Sequence, residues 1–197
     1  MPKNTDVRVG APDQKVTGAI KHAPVGTALP DLTDITKATV TLNQAFTGDE
    51  YVSEDGLTLS PSRSTTEIKD WSGSTVRKVL ESFDGTLSWT MISTNEGALS
   101  IAFGADHVTT AAATAAHGAQ VKATLGAYLP EAQEWVFLMK DGDARIVIAV
   151  PDGQITEVGE VTFASNAAVG WNVTLSCYPD ANGNSIYIMT DDGVVTA

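Results

Sequence analysis

A single cysteine, Cys177, is all the thiol chemistry that the 197 residues carry, so the chain closes no disulfide upon itself. It falls in the apolar-alternating run 171–178, where a small buried hydrophobe is expected. No base in the sequence is nominated to make it a nucleophile. Long hydrophobic runs are missing too. Nothing approaches the roughly 18 uninterrupted apolar residues of a membrane-spanning helix, and the opening MPKNTDVRVG lacks the apolar segment of a signal peptide. The expectation is a soluble protein made and kept in the cytoplasm, with no membrane partner.

Basic residues are scarce and unevenly placed. Twelve Lys and Arg stand against 24 Asp and Glu, a formal charge of −12. Residues 1–140 hold 11 basic and 16 acidic side chains, net −5; residues 141–197 hold Arg145 alone against 8 acids, net −7. This balance argues against ordinary nucleic-acid binding, which needs basic patches to neutralise phosphates. It suits a surface that repels DNA, and equally a surface that is merely soluble.

Chemical signatures are absent as well. His22, His107 and His117 are far apart, with none of the paired spacings of a zinc site. No phosphate-cradling loop, dinucleotide fingerprint or nucleophile elbow occurs. Glu50, Glu54 and Asp55 form an acidic cluster without the ligand spacing of a calcium loop, and the Asn172-Val173-Thr174 sequon reads as accidental in a cytoplasmic strand. No catalytic residue, no cofactor-binding residue and no metal ligand is therefore expected, and the protein is expected not to be an enzyme.

What is present is a globular composition, 43% hydrophobic and 18% charged, in a length that makes one domain or one domain with an ordered extension. Residues 1–50 are irregular, broken by Pro2, Pro12, Pro24 and Pro30, and the stretch PVGTALPDLTD has no helical period. A segment of this kind is either disordered or an arm ordered by packing on something else. From Leu57 onward strands dominate. In residues 86–92 (TLSWTMI), Leu87, Trp89 and Met91 alternate with Thr86, Ser88 and Thr90, the pattern of a half-buried strand. The runs WVFLM (135–139) and RIVIAV (145–150) are continuously apolar, as in strands covered on both faces, and the turn at 140–143 joins them as a hairpin. Repeated Asp-Gly and Asn-Gly turns support an antiparallel β architecture.

One helix is predicted over residues 95–103, capped by Thr94 or Asn95, with Ala98, Leu99, Ala102 and Phe103 on one face and Gly104 at the C′ position. It is expected to cover the sheet and to bury Leu99 and Phe103. Residues 109–119 read as a surface linker or loose turn. Residues 62–70 (SRSTTEIKD) and 74–83 (STVRKVLESF), joined at Trp71-Ser72-Gly73, form a polar hairpin. Its interior edges are blunted by neither proline nor a run of lysines, whereas exposed edges are usually suppressed because they pair with neighbours. Either it is an ordinary solvated hairpin, or its edges are paired in a ring of identical subunits.

Residues 51–103, with the acidic turn Ser53-Glu54-Asp55-Gly56, the polar strand pair and the short helix, resemble the major tail tube proteins of long-tailed, siphovirus-type bacteriophages, especially those infecting actinobacteria. The resemblance continues in the order of elements after Phe103. It implies a mainly β fold: an antiparallel β-sandwich or partial barrel with one short flanking helix, residues 51–197, preceded by an arm and irregular inter-subunit segment, residues 1–50. It further implies a structural virion protein in which six copies form a ring, rings stack into a hollow tail, and strands of all copies join in one barrel around a lumen. The implied partners are further copies of the chain, the tape measure protein, and tail terminator and baseplate proteins. Genomic DNA would pass without specific binding, in a virion tail assembled in the host cytoplasm. A monomeric β-sandwich binding module and a ring protein of a secretion needle are the alternatives.

On this basis the hairpin lines the lumen with one of two alternate sets. Placing Ile68 in the core favours Arg63, Thr65, Glu67 and Lys69 over Ser62, Ser64, Thr66 and Asp70, with Glu67 the expected carboxylate partner of Arg63 and Lys69. Val7, Val9, Tyr51, Val52 and Trp71 are the expected inter-subunit contacts, and residues 1–50 are expected to pack on neighbouring subunits rather than on their own core.

Overall fold

The computed structural model describes residues 7–13, 18–48 and 50–195. Parts of the expected N-terminal arm, residues 1–6, 14–17 and 49, lie outside the described residues. Among the described residues, nine strands and one α-helix follow in order: β1 (Ile20–Pro24), β2 (Val52–Lys69), β3 (Thr75–Met91), α1 (Glu96–Phe103), β4 (Val108–Ala111), β5 (Gln120–Ala123), β6 (Gln133–Asp141), β7 (Ala144–Val158), β8 (Trp171–Tyr178) and β9 (Tyr187–Asp191). The main sheet is antiparallel, in the order β1-β6-β7-β8-β3-β2, with β9 also on β7; β4 and β5 make a separate small hairpin.

The fifteen-residue β7 serves both layers of a sandwich. Its first half pairs with β6 and with β9, and residues 152–158 pair with β8. Between the halves the chain turns a corner at Gly153, where a Cβ would lie 3.0 Å from both Leu175 and Trp135. The two layers face each other across one apolar core. Trp135, Phe137, Ile148 and Val150 come from one side and Leu87, Trp89, Met91, Val173, Leu175 and Cys177 from the other. Trp89 packs edge-on against Phe137, ring centroids 5.4 Å apart, and the Trp135 indole N–H donates to the Gly153 carbonyl at 3.1 Å. Each large side chain buried here contributes about 1.5–3 kcal/mol relative to exposure. Cys177 lies in this core, its thiol pushed up to about 12 by burial.

The alternate residues of β6 and β7 build a second core. Val136, Leu138, Val147 and Ala149 point away from the sandwich and are covered by Ile35 and Phe46, with Leu29, Val40 and Leu42 beside them. This explains the unbroken apolar runs, since both faces of these strands are dry. It also corrects the expectation for residues 1–50. Rather than packing only on neighbours, this segment supplies β1 to the sheet and an irregular cover to its outer face. No periodicity signals such a cover, because an extended irregular chain can place each apolar side chain singly.

Arg145 fixes the cover in place. Although only 2% exposed, its guanidinium is paired with the Asp13 carboxylate and donates to the carbonyls of Thr36 and Ala38, each at 2.8 Å. Every charge buried here has a partner, which is the condition for tolerating an ion pair inside a protein.

The helix forms where predicted. Asn95 accepts from the Ala98 N–H at 2.9 Å, and Gly104, at φ 87°, ends the helix in a backbone region that side chains rarely adopt. Its buried residues are Ala98, Leu99, Ile101 and Ala102. Leu99 is buried as expected, but Phe103 stays partly exposed, edge-on to Trp171 with centroids 5.6 Å apart. Residues 112–119 form the loose turn expected of them, whereas 109–111 belong to β4.

Candidate assembly interface

Beyond Gly85, β3 loses its neighbour β8 and pairs with β2 alone. From Ser62↔Asp84 to Lys69↔Thr75 the two strands run out as a bare ribbon, exposed at every residue. At about 3.3 Å per residue its eight β2 residues reach about 26 Å past the sheet. The tip is tied internally: Asp70 accepts from the Ser72 hydroxyl at 2.6 Å and the Ser74 N–H at 2.8 Å, which holds its carboxyl below the usual range. Trp71, at the tip, is fully exposed.

The two ribbon edges differ. The register slips at Ser64/Thr65 and Ile68/Lys69, leaving Glu81 and Val76 of β3 as extra residues. Bulges of this kind twist an edge and oppose further pairing. The β2 side of the ribbon carries none. Pro61 interrupts its N–H row once at the base, a position that proline tolerates only on an edge strand.

Register also assigns the faces. Leu57↔Trp89 and Leu59↔Leu87 point into the core, and Arg63↔Phe83 continues on that side, followed by Thr65, Glu67 and Lys69. There Arg63 lies over the Phe83 ring at 5.3 Å. Glu67 pairs with Lys78 at 3.1 Å and accepts from Thr75 at 3.0 Å, so its partner is Lys78 rather than Arg63 or Lys69. Ile68, expected in the core, is 50% exposed, which removes the reason for preferring the Arg63 set as the lining.

The opposite face carries Ser60, Ser62, Ser64 and Thr66 on β2 with Ser82, Asp84, Thr86 and Ser88 on β3. It continues into Asn172, Thr174 and Ser176 of β8, and then into Thr156, whose hydroxyl lies 2.8 Å from that of Ser176. Its charged members are acidic, Asp84, Glu81 and Glu157, until Arg77 near the tip. The alternation of Thr86, Ser88 and Thr90 in the sequence is the visible part of this face; its extension across β8 needed the register.

Of the expected contact residues, Val7, Val9, Tyr51 and Trp71 are exposed, and Val52 packs partly against the core. At the other end of the sheet, residues 155–158 of β7 pair with β8 on one side, and β6 does not extend to the other. A groove of about 190 Å³ opens beside them, between β7 and the loop 124–130. A cavity of about 120 Å³ adjoins it and shares Leu129, Pro130 and Ile155. Here His22 is pressed against Trp135, and burial holds its pKa below the ordinary value. Among the described residues no three His, Cys, Asp or Glu side chains stand together as metal ligands.

Two solved structures are similar to the chain at low identity. The anti-feeding prophage cap, a tube terminating cap solved by cryo-EM, is 13% identical over 94% of each chain, with a TM-score of 0.46. A chain of the virion of a native gene transfer agent particle is 11% identical over 75% of this chain and 92% of its own, with a TM-score of 0.41. No curated protein matches the chain. The family model described as phage tail tube protein matches residues 3–197, the ribbon, the helix and both layers of the sandwich included, and the chain belongs to that family.

Proposed function

We propose that the protein forms closed hexameric rings that stack into the tail tube, each ring held by main-chain pairing between the open β2 edge of one copy and a strand edge of the next. Membership of the tail tube family makes the protein a structural component of the virion tail, assembling with other tail proteins. The observation that supports the ring is the β2 edge, long, nearly free of proline and unbulged along the ribbon. Such an edge aggregates unless its pairing is satisfied, and a closed ring satisfies it. Six copies would join their β2-β3-β8-β7 sheets into one barrel.

In that barrel the hydroxyl-rich face turns to the channel. The face bearing Arg63, Thr65, Glu67 and Lys69 prolongs the core side and turns toward protein. Serine and threonine hydroxyls with scattered carboxylates, and Arg77 alone near the tip, offer phosphate little counter-charge, so the genome slides without being held. The tape measure protein occupies the lumen during assembly in the host cytoplasm, and terminator and baseplate proteins close the two ends.

Electron microscopy of concentrated protein is expected to show six-fold rings or hollow rods. A protein that stays monomeric at every concentration overturns the reading. For the lining, tubes carrying Thr86→Lys and Ser88→Lys are expected to retain DNA at low salt, while wild-type and Lys69→Glu tubes do not. The reverse result moves the Arg63 set back into the channel.

A further inference from the structure

Between β6 and β7 the register steps from Trp135↔Val150 to Gln133↔Gly153, so Glu134 stands opposite two residues, Pro151 and Asp152. Trp135 and Val150 enter the main core, while Val136 and Ala149 lie on the outer side. By alternation Glu134 falls on that outer side. Asp152 does too, since it opposes Tyr178, the residue after the inward Cys177.

Glu134 is only 5% exposed. Its Oε1 accepts from the Gly26 N–H at 2.9 Å and from the Thr27 amide. Its Oε2 is closed off from water without a donor, and so is Oδ1 of Asp152. An ionised carboxylate buried there needs donors on both oxygens, and a neighbouring carboxylate has none to give. A neutral carboxyl satisfies both orphan atoms at once: its carbonyl oxygen takes the two main-chain N–H groups, and its hydroxyl donates to Asp152. Burial raises the Glu134 pKa and the Asp152 charge adds to this, against the main-chain bonds that lower it. A metal ion suits the pair less well, because hard cations take six or more oxygens. Among the described residues no group of three His, Cys, Asp or Glu side chains is placed to hold one.

The other titratable groups around the pair are engaged elsewhere. Lys21 of β1 gives its ammonium to the Gly48 carbonyl, and His22 lies on the inner side against Trp135. Tyr178 of β8 donates to Gln154, and Tyr187 of β9 to Asp180. The turn 24–27 brings no charged side chain.

We propose that Glu134 and Asp152 share one proton, Glu134 Oε2–H donating to Asp152 Oδ1, and that this proton clasps the turn 24–27 to the corner of β7 beside Gly153. Acid loads the clasp from water; when the proton leaves, two like charges face each other at the corner. The folded pKa of Glu134 lies above its ordinary 4.5. The clasp's contribution to stability is therefore complete below about that pH and is lost as pH rises through the folded value. The clasp belongs to the single subunit and does not depend on ring formation.

Glu134→Gln tests it, because the amide keeps an acceptor for Gly26 and supplies a permanent donor to Asp152. The variant is expected to melt with the wild type near pH 4.5 and increasingly above it toward about pH 8, a difference from which other groups such as His22 cancel. In infrared titrations the wild-type protein is expected to lose its protonated-carboxyl band in two stages as pH rises, the later stage missing from Glu134→Gln. This second measurement reads the wild-type chain even if the variant folds poorly. A single stage at the ordinary carboxylate range, or melting curves of the two proteins that stay parallel across the range, overturns the clasp. So does calcium chloride raising the melting temperature of the wild type and not of Glu134→Gln, which would assign the pair to a cation.

Discussion

Arg145 looked, in the sequence, like the lone basic residue of an acidic C-terminal third. In the structure it is a buried charge that ties β7 to the N-terminal segment. Its partner Asp13 lies 132 positions away, and no local pattern links the two. Removing one member of such a buried pair leaves an uncompensated charge. Asp13→Ala is expected to lower the unfolding free energy by about 3–5 kcal/mol, read from the denaturant midpoint, with Asp13→Glu losing less. His22 gives a second residue-scale expectation. Burial lowers its pKa from 6.5, outweighing the Gln133 hydrogen bond that raises it. The unfolded chain then takes up the proton first, so the stability that His22 contributes is present above about pH 6.5 and is lost as pH falls toward the lower folded value. Melting temperatures between pH 7.5 and 5 are expected to decline less steeply for His22→Gln than for the wild type.

At the scale of elements, the short helix shows why boundaries were easier to read than burial. Asn95 and Gly104 act through their own backbone neighbourhood, and so they mark the ends of α1 directly. The buried side is set by what packs on it. A single face holding Ala98, Leu99, Ala102 and Phe103 left out Ile101, which is 6% exposed and sits in the main core. Ile101→Ala is accordingly expected to cost about 2–5 kcal/mol, and Phe103→Ala, where the ring lies edge-on to Trp171 and partly exposed, less than that. Thermal melts of the two variants check the order; a larger loss at Phe103 would mean that Trp171 depends on it. The strand pairs of 135–150 were legible because both faces are dry. The cover over them, with Leu29, Ile35, Val40, Leu42 and Phe46, was not, because its apolar residues follow no period. The hairpin at 62–83 was plain from its composition, but its facing was not, since Ile68 looked like a core residue and is half exposed.

For the whole molecule, the N-terminal segment divides at Asp13. Residues before it contribute the main-chain bond from Lys140 to the Ala11 carbonyl, while Asp13 anchors the segment to Arg145 and Leu29, Ile35, Val40, Leu42 and Phe46 cover the outer core. Deleting residues 1–8 is therefore expected to leave the melting temperature nearly unchanged, and deleting residues 1–13 to lower it by several degrees. Equal effects of the two deletions would show that the ion pair does not anchor the segment.

The bare ribbon has a kinetic side. Two strands with solvent on both faces have little beyond their own ladder to hold them, so part of their ordering must be offset by contacts with another copy. A subunit arriving at a formed ring meets a complete set of such contacts; the first few subunits to meet have almost none. Growth should then outpace initiation. Light scattering from concentrated subunits would show a lag, shortened by added ring fragments, and a free pool of protein would wait for a template before any tube begins.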